Sequence, residues 1–574
     1  MTKQWLWMAA TADVEAAAKA WRVPPLVAQL LVNRGHAADQ PIDDFLVPQL
    51  KDLHPPALLP GVQGAAAILV DFVRRKERIT LYGDYDVDGI MGIAVLWHVL
   101  RATGADVQFY VPHRIEEGYG LNAESVRRLI DEGTRLIVSV DCGIGSHDVA
   151  QQVRDAGATL IVTDHHTIKD SLPSAAAVVH PGLGDYPNRG LCGAGVAFKL
   201  AWSVAQQISG TDRVSSEFRE LLMELLPLTA LGTIADVVSL HGENRIFARH
   251  GLDRLPKSKI PGIRALLETT GLTRGNLSTE DVGFKLAPRI NAAGRMGHAR
   301  LAVELFTRAD LVHAHEIALY LDDHNRARQV AERKAAAEAC EVVEKTRLAG
   351  DARRAIVLAS SEWHAGILGI AAARLVEKYH RPTAMIALSN GEGQGSARSV
   401  RHFDLSKALA ECGEHLLQFG GHAMAAGFRI AADRVAAFTD AFVAAANRAL
   451  TGDDLLPKLR LDAAATIGEL TLPIVETIHQ LGPFGLGNPR PKFATGWVEL
   501  ADEPRSVGRN SEHLQAQFSE NGRRMKGIGF GLGGLLQDLK QHRRCRVAFE
   551  PIINDYQGRR TVEMQIVDLQ FPDS

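Results

Sequence analysis

Aspartate recurs at every second position in Gly83-Asp84-Tyr85-Asp86-Val87-Asp88-Gly89, directly after the apolar run Ile79-Thr80-Leu81-Tyr82 and ahead of the helical stretch Ile90 to Leu100. Alternate side chains of extended backbone share a face, so Asp84, Asp86 and Asp88 can converge, although curvature at the following glycine spreads them. Three anions in a poorly solvated cleft repel one another strongly, and a bound dication is the usual remedy. Two further apolar runs end in the same fashion: Ile137-Val138-Ser139-Val140-Asp141 and Leu160-Ile161-Val162-Thr163-Asp164-His165-His166. A donor set of oxygen and imidazole without thiolate suits Mn²⁺ or Mg²⁺ better than structural zinc. A single aspartate at a strand end is ordinarily a turn former or a helix cap. Three such ends, one running on into His-His, are better read as a metal centre. An EF-hand does not fit, since a calcium loop opening at Asp84 places Val95 where the bidentate glutamate belongs.

The elements that must position these residues are short apolar runs spaced by helical ones: Ile79 to Tyr82, Val107 to Val111, Leu136 to Val140, Leu160 to Thr163 and Ala177 to Val179. Strands alternating with helices imply βαβ units and a parallel sheet, in which ligands bind beyond the carboxyl ends of the strands. Before this sheet, amphipathic stretches around Val14 to Leu31 and the prolines Pro48, Pro55, Pro56 and Pro60 mark a small helical lead-in. After it, the stretch from Ala309 to Arg347 is free of Gly and Pro and dense in Ala, Glu, Lys and Arg, which reads as one long connecting helix with a solvated, mixed-charge face. A second α/β segment starts at Ala355-Ile356-Val357-Leu358. The final segment, from about Lys458, has short alternating runs that read as a small all-β module.

A chain of 574 residues is too long for one core. The expected organisation is a lead-in at 1–60, a catalytic α/β domain at 61–308, a connecting helix at 309–350, a smaller α/β domain at 351–450 and a β module at 457–574. Apolar residues at 46% and charged residues at 23% are ordinary for a folded protein, and the net charge of −3 means that any anion-binding surface is local. No secretory start and no run of about 18 apolar residues is present, so a cytoplasmic protein is expected. The cysteines Cys142, Cys192, Cys340, Cys412 and Cys545 form no metal-binding pair and are expected as reduced thiols, with Cys142 a buried filler.

On these motifs the chain resembles the RecJ family, bacterial single-strand-specific 5′ exonucleases within the DHH phosphoesterase superfamily. Asp164-His165-His166 is the name-giving triplet. Gly83 to Gly89, Ser139 to Ile144, Gly232 to Val238 and Ala287 to Arg295 are similar to its other signatures. Asn33-Arg34-Gly35 with Phe45-Leu46-Val47-Pro48 is similar to the family's lead-in, and Leu481 to Phe493 to the start of its last domain. Trp363 to Ile370, Gly395 to Ser399 and Gly420 to Gly427 look like its DHH-associated domain. The fold implied is a parallel-sheet DHH domain joined by a long helix to a smaller α/β DHH-associated domain, followed by an OB-fold barrel.

The resemblance implies a centre of two divalent cations, Mn²⁺ or Mg²⁺, with Asp86, Asp88, Asp141, His165 and Asp236 as ligands, Asp141 bridging, and His166 next to the scissile phosphate. Some relatives in the wider superfamily carry a histidine four residues before the first ligand aspartate, where this chain has Tyr82; Asp84 is expected to compensate. Arg114, Ser396 and Arg398 would hold a 5′-phosphate, His422 would border the cleft, and Asn291, Arg295 and Gly421 would also bind substrate. The activity implied is 5′ to 3′ hydrolysis of single-stranded DNA to 5′-mononucleotides in repair and recombination. A single-strand-binding protein and a repair helicase would be its partners, with no membrane and a monomeric chain. In the last segment Arg505, Arg509, Arg523, Arg524, Lys526, Arg543, Arg544 and Arg546 lie among Phe518, Phe530 and Phe549, either as a path for a single strand or as a solvated surface over core rings. Two other readings compete. A DHH phosphodiesterase for nanoRNA or cyclic dinucleotides would not need the lead-in and the basic β module, and a non-catalytic scaffold of the replicative-helicase type would have lost its ligands.

Overall fold

The computed structural model describes residues 3–572 apart from 9–12, 114–116, 119, 170, 274, 296–297 and 351. The five expected runs form β1 (Ile79–Gly83), β2 (Val107–Tyr110), β3 (Leu136–Val140), β4 (Thr159–Thr163) and β5 (Ala177–Val179). All neighbours are parallel, in the order β2-β1-β3-β4-β5. β1 and β3 are buried along their whole length because helices cover both faces of the sheet. Leu81, Val138 and Ile161 enter the larger core on one face, while Tyr82, Ile137 and Val162 pack on the other.

Five helices carry the residues that act on or around this sheet: α1 (Val87–Ala102), α2 (Ala123–Asp131), α3 (Gly193–Ser209), α4 (Ser216–Ala235) and α5 (Gly242–Arg254). α1 is apolar almost all round and is buried between the sheet and its neighbouring helices. The strand order reverses direction between β1 and β3, so the crevice at their carboxyl ends is the switch point where open α/β sheets bind ligands.

By contacts the chain divides into two compact units, one built mainly from Asp323–Arg460, the other from Trp7–Asp322 with the segment from Leu461 onward. The 35-residue helix Leu311–Lys345 belongs to both. The first unit has a five-stranded mixed sheet of Ile356–Ser360, Thr383–Ser389, Glu392–Arg398, Gln418–Gly421 and Ala425–Ala431.

In the second unit, Val498–Leu500, His513–Glu520, Arg523–Gly529, Arg559–Gln570 and Arg544–Tyr556 pair in a closed ring. A bulge at Ala548/Phe549 bends the longest pair. This five-stranded barrel is the OB architecture. Phe518 and Phe549 are fully buried in its core, whereas Phe530 is exposed. The lead-in helices Val14–Trp21 and Pro25–Asn33 close only a small cluster of their own, around Ala17, Ala18, Ala28 and Val32. Val27, Leu30, Leu31, Ile42 and Phe45 instead complete the barrel core. Among the described residues no single helix is long and apolar enough to cross a membrane.

One buried cation joins these parts. Arg245 of α5 is 2% exposed, and among the described residues no carboxylate lies within ion-pair distance of it. Burial pulls its guanidinium down to about 9. It donates to the carbonyls of Phe45 (2.9 Å), Leu481 (2.9 Å) and Gly482 (2.8 Å), and stacks 3.9 Å from the Phe45 ring centre. Its fork thus holds the lead-in and the first loop of the barrel segment against the catalytic body. An Arg245→Met substitution takes the donor from the Phe45 and Gly482 carbonyls, at about 1–3 kcal/mol each, while Leu481 keeps the Asn488 side-chain amide. The expected outcome is a melting temperature several degrees lower, with new protease cleavage near residue 461; unchanged melting and protease resistance would show that the clamp is dispensable.

Candidate metal centre

β1 ends at Gly83, and the Asp84 amide still donates to the Val140 carbonyl at 3.1 Å, so Asp84 lies beside the end of β3. Two residues on, Asp86 caps α1, its carboxylate accepting from the amides of Asp88 (2.9 Å) and Gly89 (3.1 Å). The cap interpretation and the ligand interpretation therefore both apply to Asp86. Asp88, in the first turn of α1, accepts from the Gly193 (2.6 Å) and Ala194 (2.9 Å) amides at the start of α3, where the positive helix end favours a carboxylate. Asp141 follows β3 with φ +63°, a left-handed conformation that turns its side chain back into the crevice. A Cβ on Gly193 would sit 2.5 Å from an Asp141 oxygen, so only glycine lets α3 approach this closely.

The ring nitrogen Nε2 of His165, at the end of β4, lies 3.1 Å from Asp141 Oδ1, 3.5 Å from Asp236 Oδ2 and 3.8 Å from Asp88 Oδ2. Asp236 arrives from the C-terminus of α4. Three sets of donor atoms each lie within 4.8 Å of one another among the described residues: Asp84, Asp86 and Asp141; Asp88, His165 and Asp236; and Asp141, His165 and His166. Asp141 belongs to the first and third sets and lies 3.1 Å from His165 of the second, so it stands between them. The oxygen and imidazole donors fit two hard divalent cations. Buried His165 Nε2 and Asp236 Oδ2 have no hydrogen-bond partner, as expected of atoms reserved for ions.

The electrostatics agree. Burial, and after it the Asp88 and Asp86 carboxylates, push Asp236 up to about 8. Asp86 and Asp141 are raised by burial and then by neighbouring carboxylates, Asp88 foremost, and burial lowers His165. His166 behaves differently. Burial works against its charged form, but the hydrogen bond from Nδ1 to Asp164 Oδ1 (2.7 Å) and that carboxylate's charge outweigh it, raising the imidazole to about 9. Asp164 also accepts from the Ile144, His165 and His166 amides, so it orients the motif. As one more strand-end aspartate in sequence, it carried no separate signal of that role.

Tyr82 points away from this crevice. It is fully buried on the opposite face of the sheet, with its hydroxyl donating to the Gly120 carbonyl (3.2 Å) and accepting from the Asn122 amide (3.1 Å). Cys142 is buried, as expected of a filler.

The remaining residues divide by place. Asn291 is half-buried in the helix Ala287–Arg295, where Gly294 lies against the Tyr85 carbonyl of the acidic loop. Arg114 and the side chain of Arg295 lie outside the described residues. In the unit centred on Asp323–Arg460, Arg398 Nη1 lies 3.3 Å from Ser396 Oγ. A Cβ on Gly369 would meet Arg398 Nη2 at 2.5 Å, so these two side chains rest on the N-terminus of the helix Leu368–Tyr379 in an arrangement suited to a phosphate. Gly369 lies within one of the family motifs, yet nothing in its sequence context marks this close approach. Gly421, at φ +141°, and exposed His422 form the turn of the hairpin between Gln418–Gly421 and Ala425–Ala431. On the barrel, sequence reading missed Trp497, which is 43% exposed with Arg544 stacked 5.6 Å from its ring.

Asp84→Ala should reduce bound Mn²⁺ from two ions to one in equilibrium titrations, and an unchanged stoichiometry would remove Asp84 from the centre. A carboxyl whose folded pKa lies above the unfolded value of about 3.9 adds stability that is complete below that value and lost as pH rises through the folded pKa. Chelated protein should therefore melt at progressively lower temperature across neutral and mildly alkaline pH, with Asp236 crossing at about 8, and Mn²⁺ should restore more stability on the alkaline side of that crossing. Identical melting with and without chelator on the alkaline side would contradict this.

Family models match in three places: the DHH family N-terminal domain at residues 78–233, the DHHA1 domain at 353–448 and the RecJ OB domain at 461–568. The single-stranded-DNA-specific exonuclease RecJ of Bacillus subtilis (strain 168) is 36% identical over 95% of this chain and 68% of its own length. That of Escherichia coli (strain K12) is 34% identical over 98% and 97%. Crystal structures of Thermus thermophilus RecJ in complex with Mn²⁺ and with Mg²⁺ superpose with TM-scores of 0.84 and 0.78 at 32% and 31% identity. They cover 100% of this chain and 80% and 79% of those chains. The chain belongs to the RecJ family of single-stranded-DNA-specific exonucleases.

Proposed function

We propose that this protein hydrolyses single-stranded DNA from the 5′ end with two divalent cations, Mn²⁺ or Mg²⁺, releasing 5′-mononucleotides during repair and recombination. The observation that carries this reading is the cluster of donor sets at the switch point, linked by Asp141 and His165, in a chain that also has the OB barrel. When bound, such a pair of cations supplies an activated water and stabilises the attacking and leaving oxygens of a phosphodiester. Asp84, Asp86, Asp88, Asp141, His165 and Asp236 would hold them, with Asp88 fixed by α3 and Asp141 by its turn. With Nδ1 of His166 committed to Asp164, Nε2 is the atom that would hydrogen-bond the phosphate, and the Asp164 carboxylate favours the protonated ring. No side-chain nucleophile is required.

Ser396 and Arg398, set on a helix N-terminus, would take the 5′-phosphate and so select the strand end. Asn291 would contact substrate beside the acidic loop. The exposed Arg523, Arg524, Lys526 and Arg544, with Trp497 and Phe530, would guide the backbone and stack bases. A repair helicase and a single-strand-binding protein would present the strand in the cytoplasm to a single copy of the chain.

The direct test incubates purified protein and Mn²⁺ with single strands labelled at either end, beside duplex and cyclic-dinucleotide controls. The 5′ label should appear first as mononucleotide, and His166→Ala should lower kcat by about 10²–10⁴ while leaving Mn²⁺ binding intact. Activity confined to the cyclic dinucleotide would reassign the enzyme to a small-substrate phosphodiesterase.

A further inference from the structure

A second cleft, of about 750 Å³, opens along the outer edge of the catalytic sheet and shares no residue with the metal centre. Its floor is β2, the edge strand, which pairs only with β1 among the described residues. Its walls carry four exposed arginines, Arg101 at the end of α1, Arg128 on α2, and Arg300 and Arg308 on and just after the helix Ala299–Thr307, against one carboxylate, Glu132. Arg300 is paired with Glu304, but among the described residues Arg101 and Arg308 have no carboxylate within ion-pair distance. The cleft therefore has a net positive lining in a chain whose overall charge is −3.

The arginines flank both faces of the strand. Arg308 rests 4.5 Å over the Phe109 ring on the face that packs with α1. Arg128 rests 5.3 Å over the Tyr110 ring on the other face and donates to its hydroxyl at 2.8 Å. Edge strands are commonly blunted by charges on the strand itself. Here β2 reads Val-Gln-Phe-Tyr, uncharged, and the charges come from helices that leave the edge open. A nucleic acid is a poorer occupant. The rings it would stack on are already covered by guanidinium groups, whereas the open edge offers backbone donors and acceptors at the spacing of another polypeptide strand.

We propose that this cleft binds an acidic, extended peptide segment of a partner protein, added as a sixth strand beside β2 with alternate carboxylates reaching the arginines on each face. Main-chain hydrogen bonds would give the affinity and the arginines the selectivity.

The test uses the full-length protein and a fluorescein-labelled decapeptide alternating aspartate and valine, followed by fluorescence anisotropy. Binding should weaken at least tenfold with asparagine in place of aspartate, with N-methylation of alternate amides, and in the Arg101→Glu/Arg308→Glu double variant. Hydrogen exchange at residues 107–110 should slow on peptide binding. Both arginines are exposed and outside the metal centre, so the double variant should melt normally and cleave short oligonucleotides at the original rate. The proposal is overturned by absence of peptide binding, by equal binding of the asparagine peptide, or by an unchanged double variant. It is also overturned if an end-blocked dT oligonucleotide displaces the peptide through the same two arginines, which would make the cleft part of the DNA path.

Discussion

Repulsion among carboxylates forced into one dry crevice is the constraint on which the rest of the structure depends. Asp84, Asp86, Asp88, Asp141 and Asp236 converge there with the imidazoles of His165, whose basicity burial lowers, and His166. No arrangement of neutral backbone offsets that much like charge in a poorly solvated site; dications do. The fold opposes the repulsion by anchoring. Asp86 is tied down as the cap of α1, Asp88 by two amides of α3, and Asp141 by a left-handed turn wedged against Gly193. These carboxylates are therefore held by the same hydrogen bonds that start the helices, in a cluster that needs no ion to bring it together.

The parallel sheet makes this economical in sequence terms. With order β2-β1-β3-β4-β5, three strand ends deliver their side chains to one crevice without any long excursion of the chain. The fourth contribution, Asp236, comes from a helix end, and the residue after it, Val237, sits at φ +60°. A β-branched residue in that region is strained, and strain of this kind is retained where geometry at a neighbouring functional group matters.

The place of the crevice was legible because aspartates follow the ends of three apolar runs. The aspartates reach the crevice by a different route from the strand alternation expected of them, since the strand stops at Gly83, Asp86 caps α1 and Asp88 lies in its first turn, whereas the five strands and the long helix appear within a few residues of their expected limits. What was not legible depends on distance in sequence. Phe518 and Phe549 sit among arginines in the sequence yet face inward, because barrel strands alternate and the guanidiniums take the outer positions. Exposed Trp497 showed no local pattern. Arg245 reads as one more helical cation, and its role exists only because carbonyls 200 residues before it and 236 after it meet its fork. Tyr82, a departure from the wider superfamily, is explained by its opposite facing, which leaves Asp84 as the residue that enters the crevice.

The barrel core is shared by the two extremes of the described chain, with Asn33 donating to the Asp462 carbonyl across 429 residues. During synthesis, Leu30, Leu31 and Phe45 emerge early and lack these barrel partners until the last strands exist, an interval of roughly 25–110 s at about 5–20 residues per second. The DHH sheet, whose neighbouring strands are close in sequence, closes long before. Birth order and assembly order thus run opposite for the lead-in, which remains an apolar flag on the nascent polypeptide, a natural foothold for chaperones, until the barrel arrives to cover it.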